Sequence, residues 1–283
     1  MAVVAVMLGG MSLAVAQPSR AAHIAAENAL TANTLHSGVP GVRFGFGEDG
    51  EVSIDTTMQE TGGSPYPIVM QKVVTGVAVS DPNVMWYAAD IAATPGCMIE
   101  TPCKLKPSLF SNGTVLLEQT QSGWRAVAWH IAKRITSKQQ AAELAGGKNL
   151  EPVPPRIDDG AEAAVKRFTD SLGDPKTFRA SVSSRTDTMM FGSDPGERWG
   201  GAAVKAQLAK WKLGFKVRDG IQAGVSAKGT VAWVAANVDA VPVAKPKAKA
   251  IPYRVTAIYE KVGTDWQVVQ LHFSFATNPY ADF

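Results

Sequence analysis

Two tryptophan-bearing segments recur in the same order along this chain, and the recurrence limits what it can fold into more than any other feature. Trp86-Tyr-Ala-Ala-Asp-Ile-Ala-Ala-Thr-Pro95 is matched by Trp233-Val-Ala-Ala-Asn-Val-Asp-Ala-Val-Pro242, and Trp124-Arg-Ala-Val-Ala-Trp-His130 by Trp266-Gln-Val-Val-Gln-Leu-His272. The first pair is offset by 147 positions and the second by 142, so copy one holds five more residues between its landmarks. That period is too long for a stacked solenoid and suits two domains of one fold. Hydrophobic residues make up 46% of the 283, enough for two ordinary cores.

The formal charge is only +3 and charged residues are 19% of the chain, with no basic stripe interleaved with aromatics, which speaks against nucleic-acid binding. Lys245, Lys247 and Lys249 read as a solvated hairpin tip. Residues Ala2 to Ala16 are almost wholly apolar and end in Ala14-Val15-Ala16, the small-x-small pattern of an export signal. No positively charged segment precedes the run, and a core-packed or disordered N-terminus is the competing reading. The export reading makes residues 1–16 a signal peptide and the mature protein periplasmic or extracellular, with no membrane span after cleavage. In such a compartment Cys97 and Cys103, the only cysteines, pair within their Pro/Gly-rich loop, with free thiols as the alternative.

Copy two has the clearer pattern. Apolar spacing predicts a helix over 161–172 with Asp158 or Asp159 as its cap, a second from Asp174-Pro175 to about Ser183, and a third over 201–213. A short strand over 187–192 lies between the second and third. Four β-rich stretches follow near 215–227, 230–241, 251–262 and 265–276, separated by turn residues. Copy one keeps the strand order behind one alanine-rich helix over 20–35. Phe46-Gly-Glu-Asp-Gly-Glu51 matches Phe191-Gly-Ser-Asp-Pro-Gly-Glu197 with one deletion, Thr61-Gly-Gly-Ser-Pro65 replaces the third helix, and Asn112-Gly113 interrupts a strand. Copy one is therefore degenerate. The domains are 17–137 and 158–283, joined by a linker over 138–157.

The helix–helix–strand–helix–meander order, the Phe191-to-Gly200 stretch and the closing Trp266, His272, Ser274 strand together resemble the SnoaL-like branch of the nuclear transport factor two-like superfamily. The resemblance covers about 157–277 well and 40–136 weakly, with Ala132 where Ser274 stands. It implies an α+β fold class: two tandem cone-like α+β barrels, each a curved antiparallel sheet packed with helices. It also implies a hydrophobic pocket, pairing through the sheets, and members that are isomerases, cyclases, dehydratases, epoxide hydrolases or non-catalytic binding modules. Fold alone does not choose among these.

Strand alternation places Trp266, Val268, Gln270, His272 and Ser274 on one face and Gln267, Val269, Leu271, Phe273 and Phe275 on the other. The first, mixed face suits a ligand pocket or a domain interface. The candidate pocket residues are Asp187, Trp199, Trp211, Asn237, Tyr259 and His272. Each has a bland counterpart: His272 with Ser274 as a hydrogen-bonded pair that fixes the sheet, Asp187 as a turn or cap, the tryptophans as helix-to-sheet core. Asn112-Gly-Thr114 fits a glycosylation sequon. There is no phosphate loop, metalloprotease helix, nucleophile elbow or dinucleotide fingerprint, and four histidines make a metal site improbable. No cofactor is expected. The sequence points to an exported, non-catalytic protein that binds a small hydrophobic ligand or a protein partner, its two domains packed as an intrachain pseudo-dimer. The alternative is an isomerase, cyclase or dehydratase in which Asp187 or His272 moves a proton.

Overall fold

A four-strand antiparallel meander organises each half of the chain. The computed structural model describes residues 19–35, 43–46, 68–93, 108–133, 152–194 and 196–275. The apolar segment 1–16, Cys97, Cys103 and Thr61 to Pro65 lie outside the described residues.

In the N-terminal half, α1 (Arg20–Leu35) precedes β1 (Arg43–Phe46), β2 (Ile68–Val77), β3 (Val84–Ala93), β4 (Ser108–Thr120) and β5 (Gly123–Lys133), in sheet order β1-β5-β4-β3-β2. In the C-terminal half, β6 (Arg156–Ile157) is followed by α2 (Glu162–Leu172), α3 (Pro175–Ser181), β7 (Met189–Phe191), β8 (Arg198–Gly200) and α4 (Ala202–Leu208). The meander β9 (Leu213–Val225), β10 (Val231–Pro242), β11 (Ile251–Val262) and β12 (Asp265–Phe275) completes a sheet ordered β6-β9-β10-β11-β12-β7-β8. The fold is α+β, with helices on one face of mainly antiparallel sheets. No helix among the described residues is long and apolar enough to cross a membrane.

Each helix layer has its own core. α1 buries Ala22, Ala26, Ala29 and Leu30 against Tyr87, Ile91, Val115 and Leu117. Under α2 to α4, Phe168, Phe178, Val204 and Leu208 meet Phe215, Tyr259, Leu271 and Phe273. A third cluster belongs to neither helix layer: Val84, Trp86, Leu116 and Ala128 from the first sheet pack on Val231, Trp233, Ile258 and Val269 from the second. The two sheets thus bury their helix-free faces against each other.

Several local expectations change. Asp158 and Asp159 give α2 no side-chain cap, whereas Asp174 does cap α3, accepting from the backbone N–H groups of Lys176 and Thr177. The third helix stops at Leu208 rather than 213. The last linker residues are a strand: β6 runs parallel to β9. Asn112-Gly113 is no interruption, because β4 passes straight through it. A Cβ on Gly113 would stand 2.8 Å from Ile91 and 2.9 Å from Leu30, so the glycine lets α1 sit close on the sheet. Asn112 and Thr114 are buried, which removes the sequon from solvent in the folded chain. The strands that end at the matched Phe46 and Phe191 differ in direction, since β1 runs antiparallel to β5 while β7 runs parallel to β12.

Candidate functional site

The seam between the sheets is where the polar chemistry of both halves gathers. β12 reaches it by means of a bulge. Ile258 pairs with Gln270 and Tyr259 with Val268, leaving Val269 as the extra residue. Trp266 and Val268 therefore face the helices with Leu271 and Phe273, while Val269 joins Gln270, His272 and Ser274 at the seam. The strict alternation expected from sequence fails at that one residue. Of the two roles left open for the mixed face, the structure uses it as the interface.

Contacts across the seam come in reciprocal pairs, as across a two-fold axis. Thr114 stands opposite His130 in the first sheet, and Thr256 opposite His272 in the second. Across the seam the Thr114 hydroxyl bonds His272 Nδ1 at 3.2 Å, and the Thr256 hydroxyl bonds His130 Nδ1 at 3.0 Å. The two imidazoles stack at 3.8 Å between centroids. Glu260 accepts from the Ser80 N–H at 2.8 Å and hydroxyl at 3.0 Å; Glu118 accepts from the Ala227 N–H at 2.8 Å. Trp86 lies over Gly76 and Trp233 over Gly224, each pair facing across neighbouring strands. Symmetry ends at Ser274, which bonds His130 Nε2 at 2.9 Å, since its counterpart is Ala132.

Burial holds both histidines neutral. It presses His272 down to about 3, only partly offset by the His130 backbone carbonyl, and presses His130 well below its ordinary value, helped by the charges of His272 and Arg254. Charged groups bind the seam further: Lys228 pairs with Asp81 at 2.9 Å, and Arg198 with Asp90 at 3.3 Å.

The six candidate residues lie on two sides of the second sheet. His272 is walled into the seam. Asp187 is held by Arg185, with Nε donating at 2.8 Å and Nη2 at 2.5 Å. Asn237 accompanies them on the helix-free side and donates to Asp219 at 2.9 Å. Tyr259, Trp199 and Trp211 lie on the opposite, helix-facing side, where Trp211 packs edge-on to Phe273 at 5.0 Å. Burial pushes the Tyr259 hydroxyl upward. Beneath the helices Phe215 makes ring contacts with Phe178, Trp211 and Phe273, and Phe178 with Phe273.

Two cavities among the described residues lie at the seam. One, of about 10 Å³, has room for about one water between His130, Thr256, Gln270 and Trp233. The other, of about 100 Å³, is bordered by Glu118, Arg125, Arg156, Asp158, Ser226 and Trp233. Among the described residues no group of three or more His, Cys, Asp or Glu side chains could hold a metal ion.

The residues that sequence reasoning missed had a readable signal. Thr114 and Thr256, and Glu118 and Glu260, share the 142-residue offset of the Trp124 and His130 landmarks. Arg185 and Arg198 had none, because their partners Val77, Asp90 and the Trp86 ring lie about a hundred residues away in sequence.

A search of curated proteins finds no match. Similar solved structures include a protein named as ketosteroid isomerase-like from Parabacteroides distasonis, with 17% identity over 40% of this chain and 84% of that one and a TM-score of 0.33. A nuclear transport factor two-like protein of unknown function from Pseudomonas putida shows 17% identity over 47% and 86%, TM-score 0.30. A nuclear transport factor two-like superfamily protein from Salmonella enterica shows 15% identity over 52% and 98%, TM-score 0.32. The family model described as SnoaL-like domain matches from α2 to just beyond β12. Residues 163–278 of this chain are a SnoaL-like domain.

Proposed function

We propose that this chain is an exported, non-catalytic binding protein in which the N-terminal half serves as a built-in partner of the SnoaL-like domain, forming an intrachain pseudo-dimer. One observation carries the reading: His272, the imidazole a proton-transfer enzyme of this shape would offer, is spent on the seam. It is bonded to Thr114, stacked on His130 and kept neutral down to about pH 3. A general base needs a value near the working pH and access to substrate. Asp187, the other candidate proton carrier, is forked by Arg185. The ligand is small and is held at the seam, where the 100 Å³ cleft lies, rather than under the helices.

Native mass spectrometry of the protein purified from its own host tests the reading, with a retained small molecule or partner as the expected result. A retained molecule that is chemically converted on incubation would instead favour the isomerase, cyclase or dehydratase alternative. The export component rests on the apolar run ending at Ala16. Sequencing the mature protein should find Gln17 first; an uncleaved N-terminus in exporting cells refutes it.

A further inference from the structure

We propose that the end of the second sheet around the β10–β11 turn docks on an anionic lipid bilayer, through six exposed lysines gathered about the apolar Val243. The proposal goes beyond the binding reading above and stands independently of it.

The fold assembles charges that the sequence holds apart. Lys210, Lys212 and Lys216 lie where α4 gives way to β9, and Lys245, Lys247 and Lys249 lie further on, in the β10–β11 turn. The β9–β10 ladder joins the two groups. Pro242 pairs with Leu213, the Val243 N–H donates to the Lys212 carbonyl at 2.8 Å, and Lys216 stands opposite Asp239. Lys216 is about 13 Å along the strand from Lys212, comparable with the screening length at physiological salt, so the lysines act as one field. All six are exposed. Two backbone hydrogen bonds order the turn that carries three of them, from the Lys245 N–H to the Pro242 carbonyl and from the Ala248 N–H to the Lys245 carbonyl, each at 2.9 Å.

Nothing nearby neutralises this field. Among the described residues none of the six takes part in an ion pair. No acidic residue stands between Glu197 and Asp219, or between Asp239 and Glu260. The acids that border the patch are engaged or turned away. Asp239 pairs with Arg218 at 3.1 Å, Asp219 accepts from Asn237, and Asp174 caps α3. Asp194 and Glu197 act on Tyr253, which packs on the helix-facing side. The whole chain carries a formal charge of +3, so apart from these six lysines it carries −3. Positive charge is thus segregated to one end, where self-repulsion is relieved by an anionic surface.

The apex selects the kind of surface. Val243 is 55% exposed, and Ala244 and Pro246 beside it are exposed as well. An apolar apex among lysines suits a lipid headgroup layer: the valine enters the boundary with the acyl chains while the ammonium groups meet lipid phosphates. A nucleic acid would be held by exposed aromatic rings on which bases stack. Trp211 and Phe215, the aromatics interleaved with the first three lysines, instead pack against Phe273 at 5.0 and 5.4 Å.

The test sediments the full chain with vesicles of three parts phosphatidylcholine to one part phosphatidylglycerol, and with phosphatidylcholine alone. The anionic vesicles should carry the protein down and the neutral ones should not, and added salt should release it. Lys245→Gln, Lys247→Gln and Lys249→Gln together should weaken partitioning about a hundredfold, at roughly fivefold per lysine near the surface. Val243→Ser should weaken it roughly threefold or more. The same charge change made elsewhere, with Arg20→Gln, Lys166→Gln and Lys261→Gln, should leave partitioning nearly unchanged. All these positions are exposed, so circular dichroism should match the wild type throughout. Equal binding to both vesicles, binding to neither, or a triple tip variant that binds like the wild type overturns the proposal. A single-stranded DNA oligonucleotide held more tightly than the anionic vesicles at the same salt also overturns it, making the patch a nucleic-acid surface. None of these outcomes bears on the native mass spectrum, which alone decides the ligand reading.

Discussion

At the scale of single residues, the stacked His130 and His272 make stability depend on pH. Both fold with values pressed below the ordinary 6.5, so the unfolded chain takes up protons first. Their contribution is complete above about pH 6.5 and is lost as pH falls below it, for His272 towards about 3. Between pH 6.5 and 5, ordinary carboxylates near 4 hardly titrate, so this interval isolates the histidines. Each should cost about 1.4 kcal/mol per pH unit there, and urea unfolding at pH 5.0 against 7.5 should show a loss of about 2–4 kcal/mol from the pair. A His130→Gln, His272→Gln double variant should flatten that difference; an unchanged pH dependence sinks the assignment. The glycines under the tryptophans give a second prediction. A Cβ on Gly76 would lie 2.2 Å from the Trp86 ring and one on Gly224 2.7 Å from Trp233. Both rings are buried and cannot swing aside, so Gly76→Ala and Gly224→Ala should each destabilise by about 1–3 kcal/mol in thermal or urea unfolding. Neutral behaviour of either variant would contradict the packing. The sequence displayed these landmarks plainly, since Trp and His recur at a common offset. Their roles were hidden, because a buried polar strand face looks the same whether a ligand, a helix or another sheet covers it.

The elements themselves were largely legible, and the misses share one cause. β9 to β12 fall within a few residues of the alternating stretches, and α1, α2 and α3 where helical spacing and Asp174-Pro175 place them. What spacing could not show was irregularity: the bulge at Val269 and the glycine approach at Gly113 are set by what packs against the strand, not by the strand's own residues. The linker end becomes β6 for a similar reason. Gly220 has no Cβ, and one there would stand 2.0 Å from the Val153 carbonyl, so the incoming chain can lie against β9. The Val269 bulge gives a sharp test. Deleting Val269 restores strict alternation and rotates either Gln270, His272 and Ser274 or Trp266 and Val268 to the wrong side. Either outcome buries polar groups under the helices or exposes core, so the deletion should abolish cooperative unfolding and near-ultraviolet circular dichroism. A Val269→Ala variant, which keeps the residue count, should remain folded and only lose stability. A well-folded deletion would show that the bulge carries no structural information.

At the scale of the whole molecule, the question is why two halves share one chain when the C-terminal half already holds the full set of three helices and a meander. The seam answers it through its asymmetry. A fragment of residues 150–283 would expose Val231, Trp233, Ile258 and Val269, an apolar surface that soluble proteins seldom leave bare. Two such fragments could face each other and keep the reciprocal Thr256-to-His272 contacts, since that pattern maps onto itself. They could not keep the ion pairs. Lys228 would meet a second Lys228 in place of Asp81, and Arg198 would meet Asn237, which occupies the position of Asp90. Like charges at the closest point of a self-dimer disfavour it, whereas the natural partner supplies the complement. The fragment should therefore aggregate or form a weak, salt-strengthened dimer on light scattering. Mixing it with a Lys228→Asp copy should give a tighter heterodimer than either fragment forms alone. A soluble, monomeric fragment with the thermal stability of the full chain would mean that the seam holds the halves together without being needed by either, and that the N-terminal half is an independent module.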